Sequence, residues 1–369
     1  MKLYIHLFVV ALLICRPGEG NSQGCVAVKN MSSCGINWGD EDPKGWQFSA
    51  NYRFFRSYKH FVGTEEQTER VENGTEVINN DNSINLGLNY TFNKKWSVAL
   101  FIPYIWIDRS SLYEHLGNST TSNPDQLRFH TQSQGFGDLR AIGYFNALGD
   151  YKKGGLTLGV GVKAPTGKYN AKDHFHKPEG LVENVVDQSI QPGDGGVGAI
   201  TEFDFNHNIK GKFFAYAAGM YMVNARNTNG VKRSQNLQTI PATGEEIPKS
   251  NEFSVPDQYM IRAGGRFIHD DLQISLGSRM ECIPSKDLIG KSDGFRRPGY
   301  IISFEPSVSY SWDQHTLGFN FPMAIERNRT RSQIDIARGI NPNTGNPYHG
   351  DAAFADWLLS VTYAYRLAK

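Results

Sequence analysis

Ten charged residues, Asp138, Arg140, Lys163, Glu202, Asp204, Arg262, Arg266, Arg279, Glu281 and Glu305, lie within apolar segments, each on the face opposite the bulky apolar residues of its run. Charges placed at alternate positions act on one face of a β-strand, where they bind water, ions or one another while the other face stays apolar. Two kinds of chemistry fit that placement: the charges line a polar conduit, or they pair with one another and plug it.

Sites for covalent or metal chemistry are weaker. Pro165-Thr166-Gly167-Lys168 has the composition of a phosphate-cradling loop. Gly161, however, is one position too far upstream, and Tyr169 stands where a Ser or Thr must reach the metal. His174 and His176 flank one residue beside Asp173, but no second ligand cluster accompanies them, so a solvated loop is the expectation. His130, His269 and His315 are isolated, and His315 falls in a short turn, far from where a surface hydrolase would hold its base. No metal, cofactor or enzymatic activity is expected. Of five Asn-x-Ser/Thr sequences, at Asn30, Asn73, Asn89, Asn118 and Asn328, Asn89 lies within an alternating run, which marks the matches as chance.

The elements that position the charges follow from composition and period. With 38 basic and 37 acidic residues the net charge is +1, and nucleic acid is not an expected partner. The 22 Phe, 17 Tyr, 6 Trp and 38 Gly, against only 20% charged residues, favour β-structure with many turns. Ile84, Leu86, Leu88, Tyr90 and Phe92 alternate with Asn85, Gly87, Asn89 and Thr91. After Asn93-Lys94-Lys95 the alternation resumes in Trp96, Val98, Leu100, Ile102, Tyr104 and Trp106, as in a hairpin. Two more such pairs turn at His269-Asp270-Asp271 and at Asp313-Gln314-His315. Weaker runs at 46–58, 136–147, 156–164, 197–205, 213–223 and 359–367 bring the number of strands to twelve.

Short connections near 93–95, 147–154, 206–211, 269–271 and 313–315 alternate with long ones at 59–81, 108–134, 166–195, 225–256, 283–299 and 327–351. A β-sandwich has no reason to collect every long loop at one end. A transmembrane antiparallel up-and-down β-barrel does, with five short periplasmic turns, six long extracellular loops and its apolar face in lipid. Tyr90, Phe92, Trp96, Tyr310 and Trp312 flank short turns, and Tyr104, Trp106 and Tyr300 lie at long-loop ends, as two interfacial belts require. Twelve strands fall between the side-chain-filled eight-stranded barrel and the open porin of about 16 to 18 strands, so a narrow or partly occluded passage is expected.

Residues 1–23 read as a secretory signal, with Lys2, an apolar core and a Pro/Gly/Ser breaker; 24–44 as a periplasmic segment; and 45–369 as the barrel. Cys25 and Cys34 are a close pair in an exported chain, for which a disulfide is the leading reading. Gly24 leaves a lipidated Cys25 as the alternative.

Three segments add a resemblance: Gly135-Phe136-Gly137-Asp138-Leu139, Gly161-Val162-Lys163-Ala164-Pro165-Thr166-Gly167 and Gln191-Pro192-Gly193-Asp194-Gly195-Gly196. In order and spacing the chain resembles the bacterial outer-membrane proteins of the phenol-degradation meta-pathway type. The resemblance implies an outer-membrane barrel passing small hydrophobic or aromatic compounds and supplies no catalytic residues. The expected setting is therefore the outer membrane of a Gram-negative bacterium. Its expected partners are lipid, a small solute and, during biogenesis, the barrel-assembly machinery.

Overall fold

The computed structural model describes Ser22–Gln23 and residues 44–150 and 154–367. The expected disulfide between Cys25 and Cys34 lies outside the described residues. So does the expected signal, apart from Ser22–Gln23, which form a two-residue strand beside Ile283 and Pro284.

Among the described residues twelve strands form the barrel wall. They are Gly45–Val62 (β1), Ile78–Thr91 (β2), Trp96–Ser111 (β3), Phe129–Phe136 with Leu139–Asp150 (β4), Gly154–Ala164 (β5) and Gly198–Lys210 (β6). The second half is Phe213–Asn224 (β7), Gln258–His269 (β8), Leu272–Pro284 (β9), Gly299–Trp312 (β10), His315–Asn320 with Met323–Asn328 (β11) and Ala352–Arg366 (β12). Each pairs antiparallel with its chain neighbours. Pairing of β12 with β1, from Gln47↔Arg366 to Phe61↔Ala352, closes the wall and leaves no edge. The alternation of short and long connections is as expected, but several strands are longer than their apolar runs. β1 reaches 18 residues because its polar far end pairs beyond the apolar band.

Three tight turns occupy two residues each, and each begins in the left-handed region that such turns need: Gly211 (φ 56°), Asp270 (φ 49°) and Asp313 (φ 47°). Aromatic rings gather at both ends of the apolar band. Trp46 meets Tyr90, Trp96 meets Phe145, and Trp312 meets His315 near the turns, while Tyr104 contacts Trp106 and Phe136, and Tyr221 stacks on Tyr259, at the other end. Ten residues separate Trp96 from Trp106, which at ~3.3 Å per residue and a tilt of ~40° places the belts roughly 25 Å apart along the axis. Between them Leu86, Leu100, Val160, Leu276 and Phe304 point outward and are exposed.

Two wall strands are interrupted, and prolines explain both breaks. Pro103 in β3 has no N–H to give, and β4 breaks opposite it, Gly137 N donating to the Pro103 carbonyl at 2.9 Å. Pro306 in β10 faces the break at Phe321 and Pro322 in β11, where Phe321 N donates to the Pro306 carbonyl at 3.1 Å.

Candidate functional site: the barrel lumen

Nine of the ten charged residues singled out in the sequence, Arg140, Lys163, Glu202, Asp204, Arg262, Arg266, Arg279, Glu281 and Glu305, lie on the inner face of the wall, their strand neighbours turning outward. The register that exposes Leu100, Val160 and Leu276 outside dictates this. The structure gathers some of them. Arg279 donates to Glu281 at 2.7 Å and to Glu305 at 3.3 Å, and Asn320 donates to Glu305 at 2.9 Å. Arg266 donates to Asn206 at 2.7 Å, Asn206 to Asp204 at 2.6 Å, and Tyr144 to Glu202 at 2.8 Å. Arg140 also lies 5.4 Å over the Phe101 ring, and Lys163 pairs with Asp194 of a loop. Nε of Arg262, Arg266 and Arg279 and Oε2 of Glu305 are buried with no protein partner, which fits a hydrated lower lumen.

The tenth residue, Asp138, lies in the break of β4, and its carboxylate accepts from Gly167 N at 2.9 Å and from Asp194 N at 3.0 Å. It is an anchor for a loop rather than a free lining charge. The three motif segments converge here. A Cβ on Gly167 would stand 2.7 Å from the carbonyl carbon of Gly137, and one on Gly193 would stand 2.7 Å from that of Gly167. Gly137, Gly167 and Gly193 therefore stack backbone on backbone, which no side chain permits.

That anchor turns the β5–β6 loop, residues 165–197, into the barrel. Sequence reading expected it to be solvated and extracellular. Instead Ala171, Val186 and Ile190 pack against Ile105 and Ile107 of the inner wall, and the Ser133 hydroxyl donates to the Ile190 carbonyl. Only its hairpin, Lys172–Lys177 with Gly180–Val185, stays out at the long-loop end. Within that hairpin His176, expected to be solvated, stacks on Phe129 at 3.7 Å, whereas His174 is exposed.

A latch fixes the inward loop. Asp187 accepts from both terminal nitrogens of Arg297 at 2.7 Å, and Arg109 of β3 approaches to 3.8 Å while it also donates to Glu114. Burial alone would push the Asp187 carboxyl up, but Arg109 and Arg297 outweigh it and hold the group well below the usual carboxylate range. Planar bidentate pairing of this kind fixes orientation as well as charge.

Beneath the latch the lumen narrows to a cavity of about 90 Å³, bordered by Lys163, Gln191, Phe253 and Arg296. Sites that enclose a small molecule typically hold ~300 Å³ or more, so this is a constriction. Its floor is apolar: Phe101, Ile142, Ile200, Met220, Met222 and Met260 form one buried cluster with Ala99, and Tyr144 packs against it. Gly159 and Gly161 make room, since a Cβ on Gly161 would meet Ile142 Cγ1 at 2.7 Å and one on Gly159 would meet the Tyr144 ring at 2.8 Å. Sequence reading missed these inner apolar residues. The available signal was the stretch from Trp96 to Ile107, apolar on both faces, which a strand between lipid and water does not need.

The fold and this interior define a closed twelve-stranded β-barrel of the outer-membrane type. The chain is similar to an outer-membrane channel from Pseudomonas putida F1, with 12% identity, 89% of this chain and 98% of that chain covered, and a TM-score of 0.57. Also similar are a FadL homologue from Pseudomonas aeruginosa (9% identity, 89% and 91% covered, TM-score 0.40) and the Pseudomonas putida toluene transporter TodX (9%, 88% and 91%, 0.38). No protein-family model matches the chain, and no curated protein matches it in sequence.

Proposed function

We propose that the protein is a passive channel of a Gram-negative outer membrane, surrounded by lipid, carrying small solutes of hydrophobic or aromatic character along the barrel axis. The observation that carries this reading is the narrowing of the lumen. A polar vestibule and a latched inward loop lead to a narrow level where the Met-containing apolar cluster of β3–β8 stands beside the charged Arg279, Glu281 and Glu305 of β9 and β10, Met260 pairing with Glu281 in register. A narrow level that is apolar on one side and charged on the other favours small amphipathic solutes, whose ring faces the flexible Met side chains while the polar end faces the charges. Membership of the phenol-degradation group and folding by the barrel-assembly machinery belong to the same reading, supported by the convergence of the three Gly/Pro segments on the inward loop.

A closed structural barrel is the second reading, favoured by one observation: the Arg279, Glu281 and Glu305 cluster is internally paired. Proteoliposome swelling separates the two. A channel admits small neutral solutes at rates that fall steeply with size, and Phe101→Ala with Ile142→Ala raises those rates. A structural barrel gives no swelling with either protein.

A further inference from the structure

The vestibule above the latch is a cavity of about 390 Å³, within the range of sites that enclose a small molecule, and seven arginines border it. Five are already matched by carboxylates. Arg70 pairs with Asp351 and Arg109 with Glu114. Arg296 pairs with Asp287, Arg297 with Asp187 and Arg329 with Asp335. Arg233 and Arg338 have no carboxylate partner among the described residues. Each instead lies flat on an aromatic ring, Arg233 over Phe295 at 3.7 Å and Arg338 over Tyr348 at 3.7 Å.

Stacking holds the plane of a guanidinium and leaves its edge, which carries the N–H donors, free to bind. The Arg297 guanidinium lies 4.8 Å from the same Phe295 ring, so two like charges share one ring and only Arg297 is neutralised. Burial, with Arg297 adding to it, pushes Arg233 down to about 10, the direction an arriving anion would reverse. Nε of Arg338 is buried without a partner.

We propose that Arg233 and Arg338 make this vestibule a capture site for the oxyanion of a small organic acid, such as an aryl carboxylate, ahead of the constriction. The proposal rests on the channel reading and names its solute class: the charged end of the solute is held by the two guanidiniums while its apolar body faces the Met-rich layer below. Five matched arginines preorganise the site, and two unmatched ones give it its affinity and sign.

The test is binding of benzoate, benzyl alcohol and inorganic phosphate to the detergent-solubilised full chain by calorimetry, beside ion-selectivity recordings in bilayers. The expected result is benzoate binding that weakens roughly tenfold or more in Arg233→Gln with Arg338→Gln, equivalent to about 1.4 kcal/mol or more, with benzyl alcohol bound far more weakly than benzoate. Arg233→Lys, which keeps the charge and loses the fork, should fall between. Phosphate binding as tightly as benzoate would show a site for free phosphate and overturn the organic-acid assignment. Equal binding of benzoate and benzyl alcohol to the wild-type protein would overturn the proposal without any variant having to fold. Conductance without benzoate binding removes this inference and leaves the channel; benzoate binding without conductance removes the channel and leaves the capture site.

Discussion

Asp187 shows how little of a site's geometry is local. Its partners Arg109 and Arg297 lie far from it in the chain, and no spacing rule joins them; only closure of the barrel does. The direction of nine of the ten charges was legible because alternation fixes which face a residue takes, whereas the anchoring role of Asp138 and the latch were not, because loops and strand breaks carry no period. Ser303 of β10 shows the limit of what alternation gives. Its inward direction was readable, but it is 4% exposed and stands across from Arg279, so the position has no room for the arginine that an open lumen would accept. His115 gives a pH test at this scale. The ring sits among Phe129, Phe175 and His176, and Nδ1 accepts from His176 N at 3.1 Å. Burial pushes it down to about 4, against the pull of Glu114. Its folded value lies below the free value of ~6.5, so the unfolded chain binds the extra proton more readily. The stability it contributes is complete above pH ~6.5 and is lost as pH falls towards about 4. Thermal melts should show that loss, and His115→Gln, which keeps an acceptor for His176 N, should flatten it; an unchanged pH profile in the variant would place the dependence elsewhere.

At the scale of elements, the strands were readable from period and the breaks in them were not. Pro103 and Pro306 are visible in the sequence, but their effect falls on the neighbouring strands, which open at Gly137 and at Phe321 to relieve them. The break at Gly137 in turn admits the glycine stack that carries the inward loop. Gly193→Ala places a methyl group against the Gly167 backbone, where nothing flexible can give way. The expected outcome is a β5–β6 loop displaced from the wall, read as faster protease cleavage within 165–197 and a higher conductance. Cleavage and conductance equal to wild type would show that the stack does not position the loop. The lipid-facing register has its own test. Leu100→Arg sets a charge against the hydrocarbon, at a cost of roughly 2–4 kcal/mol near the midplane, whereas Leu100→Phe is expected to insert normally. Heat-modifiable mobility on detergent gels reports assembly, and equal assembly of both variants would contradict lipid contact at this position.

For the whole molecule, the sequence predicted a narrow passage from strand number alone, and the structure supplies what narrows it: a loop latched into the mouth and an apolar layer below. In the proposed channel the Asp187 latch holds the loop that narrows the conduit. Exchanging Asp187 for Asn leaves Arg297 without its carboxylate, and breaking one side of a buried pair costs about 3–5 kcal/mol, enough to free a loop without unfolding a barrel. Planar-bilayer recording of the wild-type protein and Asp187→Asn under identical salt tests this most directly. The expected result is small, discrete single-channel steps from the wild type and clearly larger or more frequent ones from the variant. Silence from both, in preparations whose heat-modifiable mobility shows correctly folded barrels, would contradict it.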